Sequence, residues 1–101
     1  MCLNMAYRSY KKSFDALTNQ ELYQLLDLRL KVFVTEQKIV YTDTDFKDQK
    51  SVHYFIMDDD QMVSYLRVIP KGLKYDEFAI GRVATDEAYR HQGLATRLIK
   101  E

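Results

Sequence analysis

The chain alternates between two hydrophobic periods. MAYRSYKKSF (Met5 to Phe14) is rich in aromatics with an imperfect apolar/polar alternation, which predicts a first strand. The period then lengthens in LTNQELYQLLDLRLKVFVTEQ, where Leu22, Leu25, Leu26, Val32 and Phe33 share one helical face. Thr18 followed by Glu21 predicts a capping box, each side chain satisfying an orphan N–H at the helix start. SVHYFIM and MVSYLRVI read as antiparallel strands, and DDDQ (Asp58 to Gln61) between them as a solvated hairpin turn, since consecutive carboxylates point apart. Strict alternation puts Met62, Leu66 and Val68 on one face of the second of these strands, and Val63, Tyr65 and Ile69 on the other. That strand is therefore expected to be central and covered on both sides. Pro70 and Gly72 end it. EFAIGRVA predicts a fourth strand, and TDEAYRHQG leads into a final helix. The order β-α-β-β-β-α describes an α+β (α/β) chain.

Composition narrows the class. At 101 residues the chain is at most one domain, and its composition (47% hydrophobic, one proline, three glycines) is globular. Fifteen basic and fifteen acidic residues are mixed along it, so no basic stripe is present for nucleic acid or an anionic membrane. No apolar run approaches a membrane span. The single cysteine, Cys2, cannot form an internal disulfide, and together with the absence of a visible signal peptide this predicts a cytoplasmic protein. Two histidines and one cysteine make no metal site. Asp43, Asp45 and Asp48 raise a calcium loop, but counting from Asp43 the fifth position is Lys47, the sixth is Asp48 and the twelfth Tyr54, where the ion needs an oxygen donor, glycine and glutamate. Arg29 lies on the apolar helical face, where a bare charge is costly. It either pairs with a carboxylate at the core's edge or shapes a site.

The stretch RVATDEAYRHQGLA carries the chemistry. A strand runs through a short loop into a helix whose first turn is expected to hold Arg90, Gly93 and Ala95. Such a turn exposes N–H groups without intrahelical partners and adds the positive end of a helix dipole. Gly93 lets a pyrophosphate approach the main chain, Ala95 keeps the turn slim, and Arg90 adds a phosphate-binding charge.

Arg90-His91-Gln92-Gly93-Leu94-Ala95 resembles the R/Q-x-x-G-x-G/A signature of the GNAT acyltransferases. ELYQLLDLRLKVFVTEQ, Tyr41, Asp45, Asp48, His53, YLRVIP and IGRV resemble that family's ElaA-type branch in the same order. The chain departs from the branch at Val40 (usually proline), Phe46 (usually glycine) and Glu87 (commonly proline). The resemblance implies the N-terminal part of the GNAT fold, a mixed sheet flanked by helices, in a single domain (1–101) that stops short of the fifth strand. It also implies acetyl-CoA-dependent N-acetylation of a primary amine by direct attack on the thioester. The pyrophosphate would then lie on Arg90, His91, Gln92, Gly93, Leu94 and Ala95, with main-chain groups of Val83 and Thr85 meeting the thioester and pantetheine. Glu36 and His53 are candidate bases, each with a plain alternative: a surface carboxylate, and a half-buried satisfied histidine. Tyr41, Asp45, Arg67 and Arg82 would line the acceptor pocket, Arg82 being the most suggestive because it adjoins Gly81. Gly81 marks either a bend in the strand or relief of crowding against the first helix. Without a fifth strand, the fourth is an apolar edge expected to self-associate as a homodimer or to recruit a partner. A second reading is therefore a non-catalytic half-fold that self-associates or only binds CoA.

Overall fold

A computed structural model describes residues 7–38, 42–70, 79–90 and 92–99. Tyr41, His91 and the departure at Val40 lie outside the described residues, as does Cys2. The expected element order holds: β1 (Tyr7–Ser13), α1 (Asn19–Arg29), β2 (Val52–Asp58), β3 (Gln61–Ile69), β4 (Ala79–Thr85) and α2 (Leu94–Ile99). The strands form one sheet in chain order, β1-β2-β3-β4. Every pairing is antiparallel, so the mixed sheet expected from the family has no parallel pair among the described strands.

The start of α1 is built as the sequence specifies. Glu21 N–H donates to Thr18 Oγ1 at 3.0 Å and Thr18 N–H to Glu21 Oε1 at 2.9 Å, closing the capping box. The helix does not end at Arg29 but widens into a π-helical segment, Leu30–Thr35, in which Glu36 N–H reaches back five residues to the Lys31 carbonyl at 2.9 Å. Its apolar face packs as expected: buried Leu25, with Leu22, Leu26, Val32 and Phe33 beside it, and buried Leu28 in addition. These meet Phe55, Met62, Tyr65 and Ala84 on one face of the sheet. On the opposite face Leu94 and Leu98 of α2 pack on Tyr7, Ile56, Val63 and Leu66. β3 thus lies between two apolar layers, as its two-sided pattern predicts.

The face assignment within β3 differs from strict alternation. Ile56 pairs with Ser64 but Met57 pairs with Met62, which leaves Val63 as an extra residue. This bulge inverts the phase of the strand. Met62 joins Tyr65 on the α1 side, while Val63 joins Leu66 on the α2 side. The hairpin turn falls where expected, between Asp58 and Gln61, with Asp59 at φ 58°. Gln24 of α1 clamps it, donating to the Asp60 carbonyl at 3.0 Å and accepting from Met62 N–H at 2.7 Å.

Candidate active site

A second bulge shapes β4. Tyr65 pairs with Ala84 and Arg67 with Gly81, so Arg82 and Val83 together oppose Leu66. Arg82 sits at φ 53°, a left-handed conformation that a side chain rarely adopts within a strand. The expected bend is therefore present, one residue beyond the glycine. A Cβ at Gly81 would meet nothing within 4 Å, so this glycine does not relieve crowding against α1.

β4 leads through a 3₁₀ turn, Glu87–Tyr89, into the glycine turn and α2. Gly93 has φ 72°, which explains its residue type, and its carbonyl accepts from Arg97 N–H at 2.9 Å. A cavity of about 120 Å³ opens there, lined by Thr85, Tyr89, Arg90, Gly93, Leu94, Ala95 and Thr96. It gathers most of the residues proposed for the pyrophosphate. Leu94 buries its side chain in the core, so only its main chain is available. Val83, on the bulge, is 38% exposed. The helix begins at Leu94, so Arg90 precedes its first turn by several residues instead of lying in it.

The turn is tied down on three sides. Arg90 donates to the Thr85 carbonyl at 3.1 Å and to Glu36 Oε1 at 2.5 Å. Tyr7 donates its hydroxyl to Gln92 Oε1 at 3.0 Å, and Tyr89 donates to Asp58 Oδ2 at 2.7 Å. The Asp58 carboxylate, with a smaller effect of burial, pushes the Tyr89 phenol up to about 12. Sequence reasoning missed Tyr7, Tyr89 and Thr96. The first two are separated from their partners by dozens of residues, and no local spacing signals them. Glu36 and Arg90 also line a larger cavity of about 300 Å³ between the π segment and the Asp86–Arg90 turn, with Lys31, Val32 and Thr35 among its walls.

The other candidate residues converge in one buried ionic cluster. Arg29 is fully buried and ion-paired with both flanking aspartates: Nε lies 2.7 Å from Asp43 Oδ2, and Nη1 donates to Asp48 Oδ1 at 2.8 Å. Its expected carboxylate partner is thus two carboxylates. Arg67 Nη1 donates to Asp48 Oδ1 at 2.8 Å and to Asp45 Oδ1 at 2.9 Å, and its Nη2 contacts the second Asp45 oxygen. Arg82 Nε donates to Asp43 Oδ1 at 3.0 Å. The aspartates that fail as a calcium loop are therefore the anionic half of a three-arginine, three-aspartate cluster. Hydrogen bonds from Arg67 hold Asp45 well below the usual carboxylate range. Burial pushes Asp48 up, but Arg29 and Arg67 outweigh it and the net shift is downward.

His53 belongs to the same cluster. Its Nε2 lies 2.9 Å from the Asp48 carbonyl, which only accepts, so Nε2 carries the proton and Nδ1 accepts from the Tyr65 hydroxyl at 2.5 Å. Burial pulls the imidazole below its usual value and pushes the Tyr65 phenol up. Of the two candidate bases, Glu36 faces a cavity, and His53 is buried with both nitrogens engaged.

The departure at Phe46 has a clear consequence. Its φ is 60°, and its side chain is 83% exposed beside an apolar groove lined by Phe14, Leu22 and Leu26. A glycine would meet that backbone geometry without strain.

Relatives share this architecture. ElaA of Escherichia coli is 33% identical over 87 residues, covering 84% of this chain and 57% of the relative. A UPF0039 protein of Schizosaccharomyces pombe is 36% identical over 89 residues, covering 87% and 58%. The chain thus spans a little over half the length of these curated relatives. Among solved structures, an acyl-CoA N-acyltransferase from Pseudomonas aeruginosa superposes with TM-score 0.88 at 36% identity, covering 93% of this chain and 66% of that one. The crystal structure of Escherichia coli ElaA gives 0.87 at 30% identity, covering 93% and 65%. The sequence profile of the Acetyltransferase (GNAT) family matches residues 8–101. A bulged fourth strand feeding a glycine turn, on a sheet that superposes on ElaA, has one family reading: the chain belongs to the GNAT acetyltransferase family, on its ElaA-like branch.

Proposed function

We propose that this chain carries the acyl-CoA-binding part of an N-acetyltransferase that moves the acetyl group of acetyl-CoA to a primary amine by direct attack. The observation that carries the reading is the bulge at Arg82–Val83 in the strand that leads, through the Glu87–Tyr89 turn, to a glycine turn opening a cavity. Acetyl-CoA supplies an acetyl group already activated as a thioester. Main-chain N–H groups of Gly93, Leu94 and Ala95 hold its pyrophosphate, His91 and Gln92 complete the turn, and Arg90 adds charge. Thr85 and Val83 follow along the pantetheine arm. The Val83 N–H is a donor for the oxyanion that develops as the amine attacks.

Glu36 serves as the base that takes the proton from the attacking amine, because of the two candidates it is the one that faces a cavity; Arg90, which holds Glu36 Oε1, must turn to the pyrophosphate to free it. A C–N bond forms, the C–S bond breaks, and the thiolate leaves. His53, Asp45, Arg67 and Arg82 act by holding the walls, since Arg67 pairs with Asp45, Arg82 with Asp43, and His53 with Tyr65 and the Asp48 carbonyl; Tyr41 is assigned to the acceptor side. In a thiol-release assay with acetyl-CoA and a panel of amines, CoA is expected to appear only when an amine is present. Glu36→Gln is expected to lower kcat by about 100-fold, within the range for general acid–base groups. An unchanged rate in Glu36→Gln overturns that assignment, and no amine-dependent release from any substrate overturns the transfer reaction for this chain.

A second and less favoured reading starts from the exposed side chains of Ile80 and Val83: β4 pairs with another copy and the chain only binds CoA. Light scattering after size exclusion separates the two. A stable monomer that releases CoA in the presence of an amine excludes the second reading.

A further inference from the structure

We infer that Asp43 is a positioning residue for the β4 bulge, holding Arg82 in its left-handed conformation and so fixing where the Val83 N–H points. The inference rests on the acyl-transfer reading of the bulge and goes beyond it, by assigning control of the bulge to a residue some forty positions earlier in the chain.

Three observations support it. Arg82 is a long side chain at φ 53° inside a strand, a conformation that needs compensation from its surroundings. Its guanidinium grips Asp43 at two points, Nε to Oδ1 and Nη2 to the main-chain carbonyl, both at 3.0 Å. Asp43 cannot follow Arg82 elsewhere, because fully buried Arg29 holds it by the same two groups: Nε to Oδ2 at 2.7 Å and Nη2 to the carbonyl at 3.1 Å. A rigid helix thus anchors the aspartate, and the aspartate anchors the bulge.

The strand's own geometry explains why such a clamp is needed. Gly81 is paired with Arg67, whose side chain lies in the α1-side cluster, and Ala84 packs on that side too. In a regular strand Arg82 would point to the opposite face, away from Asp43. The extra residue and the left-handed turn bring it round. Bulge and ion pair therefore imply one another: loss of the ion pair lets β4 relax toward regular pairing, and regular pairing breaks the ion pair. Asp43 touches no reacting atom, and its effect reaches the chemistry through Arg82, whose Nη2 also lies 3.5 Å from Asp45 Oδ2.

The test reads the backbone directly. The ¹³Cα secondary shift at position 82 is positive in a left-handed residue and negative in an extended one. It is expected to be positive in the wild type and to turn negative in Asp43→Asn. Arg82→Gln, which leaves the Arg29–Asp43 pair intact, provides the same readout if Asp43→Asn fails to fold, and position 82 is again expected to lose its positive shift. In the transfer assay Asp43→Asn is expected to lower kcat by about tenfold, less than the outright loss of an oxyanion donor, with the KM for acetyl-CoA within about twofold. The double variant is expected to lose no more than the worse single one, as for residues acting as a unit. A positive shift retained in folded Asp43→Asn, or in Arg82→Gln where Asp43→Asn does not fold, overturns the inference. So does an equal loss in KM with kcat unchanged. The shift is measured without turnover, so failure of the transfer reading leaves this test standing.

Discussion

Replacement of Arg29 by methionine tests the ionic cluster as a source of stability. The guanidinium is fully buried and bonds two carboxylates and one carbonyl. Methionine fills most of the same space but leaves Asp43 and Asp48 without their shared cation. Breaking a buried ion pair from one side costs about 3–5 kcal/mol. Here Asp43 keeps Arg82 and Asp48 keeps Arg67, which places the expected loss at the lower end, about 3 kcal/mol. That is a large fraction of the 5–15 kcal/mol typical of a domain. With a urea m-value of about 1.5 kcal/mol/M, the midpoint should fall by about 2 M. Equilibrium unfolding followed by circular dichroism measures this, with the m-value checked for constancy. Arg67→Met removes the other cation on Asp48, and the double variant should deviate from additivity by about 1 kcal/mol or more. A loss below about 1 kcal/mol for Arg29→Met, or additivity with Arg67→Met, refutes the account of a coupled buried cluster.

Two further predictions concern stability. The exposed Phe46 at φ 60° carries left-handed strain of about 1–2 kcal/mol, while glycine adds about 0.5–1 kcal/mol of chain entropy on unfolding. Phe46→Gly should therefore stabilise the protein by about 0.5–1 kcal/mol, and a fall in its thermal midpoint contradicts this. His53 has a folded pKa lowered chiefly by burial, so between that value and the ordinary one the unfolded chain binds more protons. Its contribution to stability is complete above about pH 6.5 and is lost as the pH falls through the folded value. Denaturant midpoints measured from pH 7.5 to 5 should decline, and His53→Gln should flatten that decline; an unchanged slope in the variant contradicts the assignment.

Local signals carried the architecture. The Thr18–Glu21 capping box, the Leu22–Phe33 stripe and the Asp58–Gln61 hairpin each appear where their residues place them, because each is decided within a few positions. The phase of β3 was not legible. A bulge at Val63 is set by how β2 and β3 pair, and alternation alone has no term for an extra residue. The π-helical widening after Arg29 was hidden for a similar reason, since the apolar stripe continues through it. The site was legible in part. Gly93 and its neighbours could be placed from one glycine and the strand before it, and Arg29 announced itself as a charge on an apolar face. Its partners did not: Asp43, Asp45 and Asp48 read as a failed ion loop, and only the folded chain brings Arg67 and Arg82 to them. Phe46 became meaningful once its backbone angle was known, as a bulky residue in a conformation suited to glycine.

The central claim is that the turn after β4 receives acyl-CoA, and amide chemical shifts test it at residue level. On titration of the ¹⁵N-labelled chain with acetyl-CoA, the amides of Thr85, Gly93, Leu94 and Ala95 should move together with that of Val83, following one weak binding isotherm. Arg90→Ala should shift that isotherm to higher ligand concentration by about tenfold, the loss of one charge-assisted contact. Amides that stay fixed up to millimolar acetyl-CoA, or shifts confined to the groove beside Phe46, would contradict the claim.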